Sequence, residues 1–337
     1  MANIAINGFG RIGRLFLREA IGKKDLNIIA INDLGSLESL AYLFQYDSVY
    51  GRFSEEVAVE GEHLRVGKKT IQFLREPDPL KLPWKRLGID IVLESTGAFE
   101  SYEKAKVHFV AGAKRVIISA PAKDEDGAEG KTVLMGINDG DLKGAVLTSN
   151  GSCTTNASAP LIQILSEDPG IRKAMLNTVH AYTATQSIVD NTVKGSDMRR
   201  GRAGACSIIP SSTGAALAVG RVFPELQGKF DGIAMRVPVI AGSIADITFV
   251  SKRKTTAEEV NDILRKAAKS PRWEGIFTVT EDQVVSSDII GQKYGAIADL
   301  AFTRVVDGNL VKVLSWYDNE MGYVSTLVRH VAGVVQA

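Results

Sequence analysis

The sequence predicts an α/β chain in two parts, a doubly wound parallel sheet followed by an α+β part whose sheet is mostly antiparallel. Three observations carry the prediction. Short buried strands alternate with helical segments through the first half, and a glycine cluster, Gly8-Phe9-Gly10-Arg11-Ile12-Gly13, joins the first strand to the first helix. Beyond Cys153 the segments become longer and strand-rich. A chain of 337 residues is also long for one hydrophobic core, so two domains are expected.

Residues 3–6 read as a buried strand, and Ile12, Leu15, Phe16 and Ala20 fall at helical spacing after the glycines. In a dinucleotide site of the Rossmann type, Gly8 allows the tight turn, Gly10 lets backbone approach a pyrophosphate, and Gly13 lets helix and strand pack closely. A second strand, 27–32, ends at Asp33, about twenty residues past Gly13, the offset of the acid that accepts the adenosine ribose hydroxyls of NAD. The alternative for Asp33 is a turn or cap before the helix that starts near Ser36. Residues 65–74 read as hairpin material and 75–79 as a loop. Strands recur at 89–93 and 115–119, with a helix at 101–111 between them and Gly112 placed to stop it. Thr96 and Ser119 follow the carboxyl ends of these strands, where ligands bind in such sheets; simple turn chemistry is the competing account, and for Thr96 both stay open.

An apolar run, 145–148, leads into Asn150-Gly151-Ser152-Cys153-Thr154-Thr155-Asn156 and a helical stretch to Leu165. Cys153 therefore falls at a helix N-terminus, where unpaired N–H groups and the helix dipole favour a thiolate. A free cysteine is often just a small buried hydrophobe, but hydroxyls and amides surround this one. Pro160 is expected to kink the helix. Strands follow at 175–183, 232–237, 245–251 and 309–316, a helix at 256–268 with Val260, Ile263, Leu264 and Ala267 as its buried stripe, and a last helix at 321–331. His180 ends the first of these strands and is the candidate base, able to pair with a thiolate and shuttle a proton. His63, His108 and His330 have no such context and read as structural.

Lys and Arg number 40 against 39 Asp and Glu, a formal net charge of +1, which gives no electrostatic case for nucleic acid or an acidic membrane as partner. Two cysteines make no disulfide framework, and four histidines show no metal-ligand spacing, so no metal is expected and a reducing, cytoplasmic setting fits. Residues 1–6 run directly into the glycine loop and leave no room for a signal segment. No apolar run is long enough to span a bilayer.

Four stretches together carry a family likeness: Ile6-Asn7-Gly8-Phe9-Gly10-Arg11-Ile12-Gly13-Arg14, Ser152-Cys153-Thr154-Thr155-Asn156, His180-Ala181-Tyr182-Thr183-Ala184-Thr185-Gln186, and Trp316-Tyr317-Asp318-Asn319-Glu320. With them the chain resembles phosphorylating glyceraldehyde-3-phosphate dehydrogenase nearly end to end. The resemblance implies an NAD-binding domain at 1–151, with the C-terminal helix 318–337 packing back on it, and a catalytic domain at 152–317. It implies Cys153 as nucleophile and His180 as its activator. It also implies Thr183 and Arg236 as the clamp on a triose phosphate, and Ser152, Thr213, Gly214 and Arg200 as the pocket for attacking inorganic phosphate. Thr154 joins the substrate-binding set. On NAD, Arg11 and Ile12 would meet the pyrophosphate, Ser119 the nicotinamide ribose and Asn319 the carboxamide. A homotetramer is implied, bringing the 191–207 loop near a neighbour's cofactor.

The chain departs from the family's usual pattern at Gly151, at Pro77, and in the loop 191–195. Erythrose-4-phosphate dehydrogenase shares the thiol and the glycine loop but resembles the chain less around 183–185. A dinucleotide-sensing regulator without turnover, or a nucleic-acid-binding protein, would draw only on the arginines at 199, 200 and 202.

Overall fold

The computed structural model describes residues 1–193 and 195–337, so the 191–195 departure lies partly outside the described residues at Lys194. The chain forms two units, Met1–Gly151 with Leu327–Ala337, and Ser152–Thr326. Asp318 to Thr326 thus group with the second unit, and the return to the first begins at Leu327.

The first unit is built on a nine-stranded sheet. Its order is Lys131–Thr132, Leu147–Ser149, Arg115–Ile118, Ile91–Glu94, Ala2–Asn7, Leu26–Asn32, Lys69–Leu74, His63–Val66, Val57–Glu60. The first seven run parallel, and the last two add an antiparallel edge made by the expected hairpin. Parallel strands buried on both faces require near-continuous apolar runs, and Ile4, Ala5, Ile6, Ile31, Val92, Leu93, Val116 and Ile117 supply them. The strand order reverses at Ala2–Asn7, which opens a crevice at its carboxyl end.

The helix expected at 101–111 is instead two single turns, Tyr102–Ala105 and Val107–Val110. The buried residues explain the break: Tyr102, Ala105, His108 and Ala111 recur every three residues, the period of a tighter winding. Accordingly the Phe109 and Gly112 N–H groups bond to Lys106 and Phe109 oxygens, three residues back. Gly112 has φ +106°, and a Cβ there would meet Lys85 backbone at 2.7 Å, so glycine is required at the stop.

The second unit carries a seven-stranded sheet in the order Ile209–Ser212, Phe230–Val237, Ile171–Ala181, Ser243–Ser251, Leu310–Tyr317, Ala296–Val306, Phe277–Thr280. Only two of its pairings are parallel, Ile171–Ala181 with Phe230–Val237 and Phe277–Thr280 with Ala296–Val306. The helix Cys153–Glu167 packs on this sheet and continues through Pro160. Helix Ala257–Ala268 is capped by Thr256 and buries Val260 and Leu264, while Met321–Gln336 extends the last helix five residues beyond the expected 331. Among the described residues no helix is long and apolar enough to cross a membrane.

Candidate active site

In the first unit the glycine turn is dictated by contacts. Gly8 has φ +97°, and a Cβ on it would fall 2.6 Å from Ser95 backbone; one on Gly13 would fall 2.2 Å from the Gly8 oxygen. Gly10, by contrast, faces open space, so its backbone is free for close approach by a ligand. A cavity of about 430 Å³ adjoins it, lined by Gly8, Gly10, Asp33, Leu34, Pro77 and Thr96 among others. Asp33 caps no helix: Ser36 performs that role with its hydroxyl. The Asp33 carboxylate accepts from Phe9 N–H at 2.7 Å and Gly35 N–H at 2.8 Å. Its remaining lone pairs are available to hydroxyl donors. The donor and acceptor set, the open glycine and the cavity fit the adenosine side of NAD.

The Arg11 side chain pairs with Asp47 at 2.6 Å, leaving backbone as its means of meeting a pyrophosphate. Ser119 lies just past Arg115–Ile118 with its N–H on the Glu94 oxygen, and does not line the cavity. Thr96 does line it, held by a group that sequence reasoning missed. Glu94, 2% exposed, accepts from the Thr96 N–H and hydroxyl, from the Asn7 amide, and contacts His108 Nε2 at 3.0 Å. His108 in turn accepts from Trp84 Nε1. An acidic residue closing the apolar run Ile91-Val92-Leu93 was the available signal.

In the second unit Cys153 opens its helix. Ser152 is the N-cap: its hydroxyl accepts from Thr155 N–H at 3.0 Å while its own N–H donates to Thr155 Oγ1 at 3.3 Å. This capping box holds the first turn and aims Cys153. Its Sγ lies 3.3 Å from His180 Nε2. His180 and Arg236 stand side by side because Ile171–Ala181 and Phe230–Val237 are parallel neighbours in that register. Arg236 Nη1 is 2.6 Å from His180 Nδ1.

The electrostatics differ from the sequence expectation of a ready thiolate–imidazolium pair. Burial pushes the Cys153 thiol up, against the Arg236 charge, the Thr154 hydroxyl and the local N–H groups, which lower it. Burial, reinforced by Arg236 and opposed by the Ala181 carbonyl, pushes His180 down to about 3.

Tyr317 was quoted in a motif but given no role. It is buried, its ring meets His180 edge-on at 5.8 Å, and its hydroxyl bonds Thr154 Oγ1 at 2.9 Å and Thr178 Oγ1 at 2.7 Å. Thr154, 4% exposed, thus joins this buried network, and its hydroxyl also acts on the Cys153 thiol. The Thr183 hydroxyl contacts Thr185 Oγ1 at 2.9 Å. Gly214 precedes helix Ala215–Val222, whose N-cap has no side-chain bond, and Thr213 Oγ1 accepts from Ala215 N–H. Asn319 accepts from the Ser243 hydroxyl at 2.9 Å. Arg200 and Arg236 each bury an Nε with no partner, and unpaired buried guanidinium N–H groups call for an anion.

A dinucleotide crevice in one unit and a thiol set among arginines in the other are the equipment of an NAD-dependent dehydrogenase. Two family models narrow this: the NAD binding domain of glyceraldehyde 3-phosphate dehydrogenase matches residues 2–102, and the C-terminal domain of the same enzyme matches 152–319. The chain is 48% identical over 333 residues to glyceraldehyde-3-phosphate dehydrogenase of Clostridium pasteurianum, covering 98% of this chain and 97% of the relative. It is 48% identical over 336 residues to that of Clostridium acetobutylicum, covering 98% of each. Against the enzyme of Borreliella burgdorferi the figure is 48% over 332 residues, covering 96% of this chain and 97% of the relative. The chain belongs to the glyceraldehyde-3-phosphate dehydrogenase family.

Proposed function

We propose that the chain oxidises D-glyceraldehyde 3-phosphate to 1,3-bisphosphoglycerate in the presence of inorganic phosphate, as a glycolytic and gluconeogenic enzyme. The observation that carries this reading is the alignment of Cys153 Sγ, His180 and Arg236, with two unpartnered guanidinium nitrogens beside it. NAD, held through Gly8, Gly10, Arg11, Ile12, Gly13, Asp33, Thr96, Ser119 and Asn319, supplies the hydride acceptor when bound. Cys153 Sγ adds to the aldehyde carbon as its proton passes through His180 Nε2 to the carbonyl oxygen, and the N–H of Cys153 stabilises the negative charge that develops on that oxygen. His180 takes the proton of the resulting hydroxyl as that carbon is oxidised, which leaves a thioester on Cys153. Thr183 and Arg236 hold the substrate's phosphate. Ser152, Arg200, Thr213 and Gly214 hold the attacking phosphate, whose oxygen displaces Cys153 to give the acyl phosphate. Thr154, held by Tyr317, joins the substrate-binding set beside Cys153. The first unit serves as the NAD-binding domain and the second as the catalytic domain, in a cytoplasmic homotetramer.

The deciding experiment follows absorbance of reduced nicotinamide with the aldehyde, with and without phosphate. Sustained turnover is expected only with phosphate. Full-rate oxidation to the free acid in phosphate-free buffer would overturn the phosphorylating assignment.

A further inference from the structure

Three parallel strands of the first sheet end together on polar residues. Asn7 is the register partner of Glu94 on one side and of Asn32 on the other, so Glu94, Asn7 and Asn32 stand in one row across the carboxyl edge. All three are buried, at 2%, 2% and 6% exposure. Such groups are costly to bury unless their bonds are made, and a satisfied network holds what it touches in one arrangement. The bonds run along the row. Glu94 Oε2 accepts from Asn7 Nδ2 at 2.6 Å, and Asn7 Oδ1 accepts from Asn32 Nδ2 at 2.8 Å. Asn32 then grips the Glu76 backbone, donating to its oxygen at 3.1 Å and accepting from its N–H at 2.9 Å. At the other end Glu94 Oε1 accepts from Thr96 N–H at 2.8 Å and from the Thr96 hydroxyl, which in turn accepts from Ala98 N–H at 3.0 Å.

Behind the row, Trp84 Nε1 only donates, so His108 Nδ1 accepts and the ring proton on Nε2 goes to Glu94 Oε2. Four donors thus converge on the two oxygens of Glu94. The cavity of the first unit is lined by both ends of the row, Glu76 and Pro77 at one and Thr96 and Ala98 at the other, while Glu94 itself does not line it. We propose that Glu94 is a positioning residue for the adenosine end of NAD. It holds the 95–99 segment directly, through Thr96, and the 76–79 segment through Asn7 and Asn32, and so sets the two walls of the crevice. This rests on the reading that the crevice takes the adenosine side of NAD, and it makes cofactor affinity depend on an acid that the cofactor does not meet. Glutamine cannot replace it, because in either orientation its amide nitrogen would face donors, the Thr96 N–H or the Asn7 amide and His108.

The intact enzyme, freed of nucleotide, is titrated calorimetrically with NAD and with ADP-ribose, which keeps the adenosine end and lacks nicotinamide. Glu94→Gln should raise both dissociation constants about tenfold or more, the size of a lost bond to a charged acceptor. KM for NAD should rise with them, while kcat at saturating NAD stays near wild type. Hydrogen exchange of the free enzyme, read by mass spectrometry, should quicken in peptides covering 74–80 or 94–99. Asn32→Ala leaves Thr96 bonded to Glu94, so it should quicken exchange at 74–80 alone and raise the same constants. His330→Leu, which loosens the first unit elsewhere, should change neither the affinities nor exchange in those peptides. Unchanged ADP-ribose affinity in Glu94→Gln, unmoved exchange at 74–80 in Asn32→Ala, or an equal loss of affinity in His330→Leu overturns the proposal. Failure of the crevice reading has its own signature, an Asp33→Ala variant that binds ADP-ribose as tightly as wild type, and the proposal falls with it.

Discussion

His330 makes the stability of the first unit depend on pH. Its side chain is fully buried; Nδ1 lies 3.1 Å from Asn150 Oδ1 and Nε2 2.8 Å from Thr148 Oγ1. An amide oxygen only accepts, so Nδ1 carries the proton and Nε2 accepts from the threonine hydroxyl. The neutral ring is satisfied by these two groups, and burial outweighs the Val133 carbonyl, which favours a second proton. Burial accordingly pushes His330 down from 6.5 to about 4. Between these values the unfolded chain binds the proton and the folded chain does not, so stability rises with pH. The contribution is fully present above about pH 7 and is lost as pH falls from 6.5 toward 4. At about 1.4 kcal/mol per pH unit, this amounts to about 3 kcal/mol, or a fall of roughly 6–12 °C in melting temperature for a unit of this size. Thermal melts at fixed scan rate from pH 4 to pH 8, on wild type and His330→Leu, measure it. His180 titrates in the same direction but is present in both proteins and cancels in the difference. The variant should melt lower at neutral pH, because Thr148 and Asn150 lose a partner, yet show a shallower decline in acid. Equal slopes for the two proteins would refute the argument.

Cys153→Ser should abolish turnover with NAD affinity nearly unchanged, and alkylation at neutral pH should inactivate through Cys153 despite the greater exposure of Cys206; labelling of Cys206 alone with loss of activity would contradict this. His180→Asn should slow acylation by roughly 10²–10⁴-fold, measured as the burst rate. Tyr317→Phe should keep the ring contact with His180 but remove a partner from the Thr154 hydroxyl and one of two from Thr178, costing about 1–3 kcal/mol in denaturant titration, with kcat changed less than stability. NAD should be preferred to NADP in kcat/KM, because Asp33 would face a 2′-phosphate of like charge, and equal values would sink that reasoning.

The first sheet was legible because each of its signals is local: the glycine cluster, the acid twenty or so residues on, and runs of β-branched residues all lie within one strand–turn–helix unit. The strand Ala296–Val306 was not legible. Asp299 interrupts its apolar run, and the pairing with Leu310–Tyr317 breaks register between Asp299 and Arg304. That buried carboxylate accepts from the Ala301 N–H two residues on at 3.1 Å and, across the sheet, from Trp316 Nε1 at 3.0 Å. The strands Ile209–Ser212 and Phe277–Thr280 are too short, at four residues each, to establish a period. At the site, Cys153 and His180 were legible one by one from their positions at element ends. The contact between His180 and Arg236 was not, because parallel register between strands 56 residues apart leaves no periodic trace.

The state of the thiol shows which effect wins when local and tertiary terms oppose each other. A helix N-terminus is worth about 0.3–1 kcal/mol to an anion, which is the term a sequence displays. Removal from water acts against the anion and is the largest influence on Cys153, and only the folded unit displays it. The Arg236 charge is the largest influence in the other direction, ahead of the Thr154 hydroxyl and the backbone N–H groups. The helix start therefore aims the sulfur more than it ionises it. The same guanidinium contacts His180 at 2.6 Å, so one charge favours the thiolate on Cys153 and at the same time disfavours a proton on the histidine.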